Sequence, residues 1–299
     1  MKPAKFNYYQ PRTIDETLKL LANYGDEGKV LAGGQSFIPI LNMRMSEVEC
    51  LIDINNVKEL DFIELDDELL KIGTLTRQRS LEDSEEVYKK VPLLRETCGY
   101  IGHRQTRNRG TVGGSVVHAD PSAELPLVFL LLEGKVIVRS ELEQREADLK
   151  EFFLTYMTTD MMPDELLTEI HLPIKDLPKG YAFEEISRRH GDFSLVSATS
   201  MVDCTETGEI SRVKIAVGGV DHVPLLAEEE DLQPLIGTQL DENTVEDVAN
   251  TILEMAEPDG DLHATSEYRF HMAKVLIRKS LRKAYQRAQK EGELTNAAN

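Results

Sequence analysis

Ala32-Gly33-Gly34-Gln35-Ser36 and Thr111-Val112-Gly113-Gly114-Ser115 are the stretches on which the reading of this chain turns. Each joins paired glycines to hydroxyl or amide side chains. Glycine lets backbone N–H groups approach a phosphate with no Cβ in the way, and tandem N–H groups in such loops form an anion-binding concavity. Ser36, Thr111 and Ser115 place hydroxyls at the same points. Neither stretch has the glycine-to-lysine spacing of a P-loop or the G-x-G-x-x-G spacing of a Rossmann turn, so neither nucleotide site is indicated. A tight turn explains one such pair equally well; two in one chain favour phosphate binding.

Working outward, Lys29-Val30-Leu31-Ala32 reads as a strand running into Gly33, and Leu51-Ile52-Asp53-Ile54 as another. Thr13 and Glu16 have capping-box spacing, and Ile14, Leu18 and Leu21 recur at helical intervals until Gly25 closes the helix. Phe62–Leu65 and Leu69–Ile72 flank an acidic turn and predict a hairpin; helical patterns follow between Leu81 and Gly99. Ala123 to Leu132 reads as a buried helix, and Lys135–Arg139 and Leu166–Leu172 as strands. The run Pro173 to Gly180, polar and broken by prolines and glycine, is the linker candidate. Beyond it, Val196–Val202 and Val213–Val217 predict paired strands. Helices follow at about Val245–Met255 and Tyr268–Gln289, with Val245, Val248, Ile252 and Met255 on one face. The expected domains are 1–175 and 179–290, with a flexible tail over 291–299.

A chain of 299 residues, 41% hydrophobic and 29% charged, is long enough for two modest domains or one large one, either with a real hydrophobic core. Its formal charge of −19 opposes binding to nucleic acids or anionic membranes. The longest apolar run, Leu125 to Leu132, is too short to span a bilayer, so no stable membrane insertion is expected. The N-terminal residues lack a secretory signal, which predicts a cytoplasmic location. Cys50, Cys98 and Cys204 lie far apart with no C-x-x-C pair, which argues against a cluster or zinc held by this chain alone. His118 and Asp120 lack a third ligand, so no metal site is assigned. His171 reads as an exposed strand residue. The basic run His103 to Arg109 is either a solvated loop or a surface for acidic groups or phosphates.

The run Ala32 to Pro39, followed by Arg107 to Pro121, resembles the flavin-binding medium subunits of aerobic carbon monoxide dehydrogenases. It is similar also to the FAD subunits or domains of xanthine dehydrogenases and of bacterial N-heterocycle dehydrogenases. The resemblance extends to the Asp53-Ile54 strand end and to Ser187-Arg188-Arg189-His190-Gly191-Asp192-Phe193, in order along the chain. It implies an α+β architecture: a p-cresol methylhydroxylase-type FAD-binding domain of two α+β subdomains, then a smaller C-terminal α+β domain. By match to the family, Leu31, Ala32, Gly33, Gly34, Gln35 and Ser36, with Thr111, Gly113, Gly114 and Ser115, surround the pyrophosphate of a noncovalent FAD. Ile101, Gly102 and Leu167 match positions near the cofactor. Glu124 is placed to accept hydrogen bonds from ribityl or adenosine hydroxyls; the other reading is an acidic residue in the first turn of a helix. Phe193 is placed to screen one flavin face, or else packs in a core.

The same resemblance implies that no residue here is catalytic towards the organic or gaseous substrate. Substrate oxidation belongs to a molybdenum cofactor in a large partner subunit, and two two-iron two-sulfur clusters in a small partner subunit relay the electrons to FAD. A dimer of such heterotrimers is the expected assembly. Two other readings stand beside it: a self-sufficient flavin oxidoreductase, for whose substrate domain this chain has little room, and a non-enzymatic nucleotide-binding assembly module.

Overall fold

The computed structural model describes residues 2–297, the side chains of 291–297 excepted; of the tail expected over 291–299, the backbone of 291–297 continues the Ser266–Ala297 helix, and 298–299 lie outside the described residues. The chain divides into two compact units, neither continuous in sequence. The first comprises Met1–Lys90, Gly102–Ala119 and Glu133–Ile174; the second comprises Val91–Ile101, Asp120–Leu132 and Lys175–Asn299.

In the first unit, β1 (Asn7–Tyr9), β3 (Cys50–Asp53) and β2 (Gly28–Leu31) form a parallel sheet in that order. The Ile14–Tyr24 helix covers it with Leu18 and Leu21, which are buried with Ile52 and Ile54. Its start follows the capping-box expectation: Thr13 Oγ1 accepts from Glu16 N at 3.1 Å, and the Glu16 carboxylate reaches back to accept from Arg12 N. Gly25, at φ +50°, ends it. A second, antiparallel sheet runs β4 (Ile63–Leu65), β5 (Leu69–Gly73), β10 (Leu166–Pro173), β6 (Lys135–Arg139) and β7 (Gln144–Asp148). The expected hairpin is its β4–β5 edge. A small hairpin, β8 (Phe153–Thr155) and β9 (Thr158–Thr159), completes the unit.

The second unit is built on the antiparallel sheet β11 (Gly180–Ser187), β12 (Ser194–Cys204), β13 (Ile210–Gly218) and β14 (Leu225–Leu226). Strand alternation gives it two buried faces. Ala182, Val196, Ala198 and Val217 pack on Ala273, Leu276, Ile277 and Leu281 of the Ser266–Ala297 helix. Residues of the opposite parity meet the Pro92–Cys98 and Glu124–Leu131 helices. The Glu124–Leu131 helix is apolar on all sides, and every one of its residues is buried, as a helix without a polar face requires.

Two expectations change. The linker is shorter than Pro173 to Gly180, because Pro173 ends β10 and Gly180 opens β11. Gly180 serves close packing there: a Cβ would lie 2.1 Å from Ala284 O. The compact units interleave along the chain, because the 91–101 and 120–132 segments pack with the C-terminal sheet. Finally, Met255 does not share the buried face of Val245, Val248 and Ile252, since that helix ends at Ile252 and Met255 is 84% exposed.

Candidate cofactor site

In the first unit, β2 delivers the chain from Leu31 into the first glycine stretch, and the chain turns at Gly34, whose φ is +70°. That backbone region favours glycine. The side chains of Leu31 and Ile38 close over Gly34; a Cβ there would sit 3.1 Å and 3.0 Å from them. Gln35 folds back, its Nε2 donating to Gly33 O at 3.2 Å. The consecutive N–H groups of Gly33, Gly34, Gln35 and Ser36 donate to no acceptor among the described residues. Backbone donors in a row, beside a glycine conformation, can accept an oxyanion.

The second stretch lies directly against the first. A Cβ on Gly33 would fall 2.5 Å from Arg109 O, 2.9 Å from Gly110 Cα and 3.0 Å from Thr111 N, so glycine is what permits the contact. From Val112 to Ser115 the backbone donors of this second stretch are engaged within the protein, whereas Thr111 N donates to no acceptor among the described residues. Val112 N donates to Thr76 O at 2.9 Å, Gly113 N to Thr74 O at 3.0 Å and Ser115 N to Thr111 O at 3.2 Å. Gly114 N donates to Thr111 Oγ1 at 3.1 Å, which caps the Val112–His118 helix. A row of consecutive open donors is thus found in the first stretch, while the second offers the Thr111 N–H and the Ser115 hydroxyl. Gly113 has a packing role: a Cβ would lie 1.7 Å from Thr74 Oγ1. Thr111 is buried as a helix cap, while the Ser115 hydroxyl makes no hydrogen bond among the described residues.

A polar strut that no motif had marked joins the two stretches. Asn55 Nδ2 donates to Ala32 O at 2.8 Å, and Arg77 NH2 donates to Asn55 Oδ1 at 2.6 Å. Arg77 NH1 donates to Arg109 O at 2.7 Å. Behind Asn55 stands the buried Asp53, which accepts from Asn55 N at 3.0 Å and from the Tyr8 hydroxyl. Burial alone would raise the Asp53 pKa, but the bonds from Tyr8 and Asn55 more than offset it and hold the carboxyl below its ordinary value. Arg77 donates to neutral oxygens and makes no salt bridge among the described residues; burial, with Arg109, lowers its pKa against the smaller opposing effect of Asp61 and Asp53. In a chain of net charge −19, this leaves positive charge behind an otherwise unpartnered row of donors.

The other expected residues are distributed between the units. Gly102, at φ +48°, and Leu167, buried in β10, belong to the first unit. The basic run is not a uniformly solvated loop: Arg107 is buried, with Nε and NH2 on Glu82 at 2.7 and 3.1 Å. His171 is half-buried rather than exposed, and its Nε2 lies 2.7 Å from Glu169 Oε2. Among the described residues, no three His, Cys, Asp or Glu side chains come together as metal ligands, and no helix is long and apolar enough to cross a membrane. Ile101, Glu124 and Phe193 lie in the second unit. Glu124 is a first-turn helix residue, yet it is buried; burial, with a smaller contribution from Asp120, pushes its pKa up to about 7. Phe193 is 68% exposed, which removes the core-packing reading.

A parallel sheet ending in a glycine donor row, a second glycine stretch packed on it and an appended sheet domain together describe a flavoprotein of the molybdenum hydroxylases. The FAD binding domain found in molybdopterin dehydrogenases matches residues 4–175, and the CO dehydrogenase flavoprotein C-terminal domain matches residues 181–284. The chain belongs to this family, as an FAD-binding oxidoreductase subunit. It is 37% identical over 288 residues to the 6-hydroxypseudooxynicotine dehydrogenase complex subunit alpha of Paenarthrobacter nicotinovorans, covering 96% of this chain and 97% of that one. It is 31% identical to the carbon monoxide dehydrogenase medium chain of Hydrogenophaga pseudoflava, covering 96% and 99% of the two chains. The structure of quinoline 2-oxidoreductase from Pseudomonas putida 86 superposes with a TM-score of 0.91 at 31% identity, over 97% of this chain and all (100%) of that chain.

Proposed function

We propose that this chain is the FAD-carrying electron-transfer subunit of a cytoplasmic molybdenum hydroxylase. It receives electrons from a small subunit with two two-iron two-sulfur clusters and delivers them to an external acceptor. Substrate is oxidised at the molybdenum cofactor of a large subunit, in a dimer of heterotrimers. The observation that carries this reading is the donor row Gly33–Ser36, held against Arg109–Thr111 by Asn55 and Arg77, which suits a diphosphate. FAD, when bound, supplies the exchange between two-electron and one-electron chemistry, and the protein supplies position and electrostatics. Leu31 to Ser36 line the diphosphate, and the hydroxyl of Ser115 is available to it. For Gly102, Leu167, Ile101, Glu124 and Phe193 the assignment to FAD rests on the resemblance alone.

The test uses the full chain, stripped of flavin and titrated with FAD while visible absorbance and flavin fluorescence are followed. Saturable uptake is expected. A colourless chain that takes up no FAD overturns the reading in favour of a nucleotide-binding assembly module. Direct reduction of the bound flavin by carbon monoxide, purines or N-heterocycles, in the absence of partner subunits, overturns it in favour of a self-sufficient oxidoreductase. The exposed Phe193 bears on the acceptor side. In the assembled complex, Phe193→Ala should alter reoxidation by the acceptor more than the arrival of electrons from the clusters.

A further inference from the structure

Arg77 stands at the seam of the two glycine stretches, within the first unit. Gln78 N donates to Gly110 O and Val112 N to Thr76 O, both at 2.9 Å, so Arg77 pairs with Thr111 as in an antiparallel ladder. Gly33 is the residue whose backbone meets Arg109 O and Thr111 N. The Arg77 guanidinium reaches both flanks of that contact: NH1 holds Arg109 O, and NH2 holds Asn55, which in turn holds Ala32 O. Neutral groups thus fix its position, and its Nε donates to nothing among the described residues.

A second guanidinium accompanies it. Arg109 is exposed, and its side chain makes no hydrogen bond or ion pair among the described residues. Burial, with repulsion from Arg109, holds the Arg77 pKa below its ordinary value. Asp61 and Asp53 oppose this with smaller effect, and Asp53 is already committed to Tyr8, Gln10 and Asn55. The chain has 53 acidic residues against 34 lysines and arginines, so carboxylate partners are plentiful. Two arginines that repel one another and take no salt bridge raise the energy of the empty site. The arginine fork suits phosphate oxygens. A dianionic diphosphate relieves the repulsion, whereas a neutral ligand leaves it in place.

We propose that Arg77, accompanied by Arg109, is the specificity-determining charge of the glycine site and makes it select a dianionic diphosphate over a neutral flavin. This rests on the FAD reading above and adds to it, because Arg77 then acts by its charge as well as by the two bonds that hold the stretches together. The donor row supplies geometry for an oxyanion; the arginines supply the preference for charge. Burial divides the work between them. Salt screens exposed charges strongly and partly buried ones much less, so the Arg109 contribution fades with ionic strength and that of the half-buried Arg77 persists.

The test titrates the flavin-stripped full chain with FAD, ADP and riboflavin, at about 0.01 M and about 1 M salt. The preference for FAD over riboflavin is the deciding quantity, because a general disturbance of the fold lowers both affinities together. Arg77→Gln should cut that preference, and the affinity for ADP, about tenfold at either salt concentration, the scale of a hydrogen bond to a charged group. Arg77→Lys keeps the charge without the fork and, on a logarithmic scale, should lose less than half of what Arg77→Gln loses. Arg109→Gln should cut the preference several-fold at low salt only, with an unchanged melting temperature. An unchanged preference in both glutamine variants overturns the inference. So does a loss in Arg77→Lys equal to that in Arg77→Gln, which would leave Arg77 as a strut alone. Wild-type chain that binds FAD and riboflavin alike retains the FAD reading and overturns the inference, whereas wild-type chain that takes up no FAD overturns the FAD reading itself and the inference with it.

Discussion

The two glycine stretches look alike in sequence and behave oppositely. Around Gly33-Gly34 the backbone N–H groups have no partners among the described residues, and the carbonyl oxygen of Ala32 is held by a side chain. Around Gly113-Gly114 each N–H from Val112 to Ser115 is engaged, by Thr76 O, Thr74 O, the Thr111 cap and Thr111 O, and only that of Thr111 is open among the described residues. Glycine in the first stretch therefore leaves donors open to a ligand, whereas in the second it admits a helix to close quarters with the β5 turn. A Gly-Gly pair reports a close approach; what approaches, ligand or protein, is decided by where the donors go.

That contrast breaks most sharply at Gly33. Gly33→Ala would drive a Cβ into Arg109 O and Gly110 Cα, and relieving the overlap must part the two stretches. Overpacking of this kind costs about 1–3 kcal/mol, and we expect most of it to appear as a loss of FAD affinity of roughly a hundredfold. Wild-type affinity in that variant, measured by fluorescence titration, would remove the first stretch from the site. Gly113→Ala should instead act on folding. Its Cβ would meet Thr74 Oγ1 and Cα, and a stability loss of about 1–3 kcal/mol in urea denaturation is expected, larger than its effect on FAD affinity. An affinity loss exceeding the stability loss would erase the distinction between the stretches.

Thr111→Ala removes only the helix cap, and about 1 kcal/mol of stability is expected to go with it. Near-normal FAD affinity in this variant would sharpen the comparison; a collapse of affinity would show that the capping hydroxyl serves the ligand.

The smallest expected effect is a response to pH. Asp53 has a lowered folded pKa, so its contribution to stability is present above the ordinary carboxylate value and lost as pH falls through the folded value. Burial raises Glu124 and Glu185 to about 7 and 8; their contribution is present below the ordinary value and lost as pH rises towards those numbers. Acid should thus loosen the Asn55 support of Ala32 while favouring these buried carboxyls of the second unit. Melting curves across pH should show Asp53→Asn flattening the acid side and Glu185→Gln flattening the neutral-to-alkaline side. Exchange of these two outcomes would contradict the assignment.

Much of this was legible beforehand. The Thr13 cap, the strand into Gly33 and the all-apolar helix after Ala123 could be read because local chemistry and periodicity fix them. Both glycine stretches were visible for the same reason. Their difference was not, because the acceptors that engage the second stretch are carbonyl oxygens of Thr74 and Thr76, and backbone carbonyls carry no sequence signal. Asn55 and Arg77 stood outside every motif, and their bonds reach across the fold from separate turns. Glu185 was hidden likewise: Glu184 beside it has the same side chain but is paired with Lys279 and Lys283, and strand parity alone separates the two.

The discontinuity of the second unit sets an order on synthesis. The Glu124–Leu131 helix leaves the ribosome before β12 and β13 exist, so the sheet that covers its apolar surface arrives only after β10 has been made. Its burial depends on contacts distant in sequence, which form slowly and leave an aggregation-prone surface while they are pending. A chain halted near residue 175 would carry this helix without the β12–β13 sheet that covers it. The C-terminal sheet therefore acts, during biogenesis, as an internal chaperone for a segment that lies within the residues matched by the FAD binding domain.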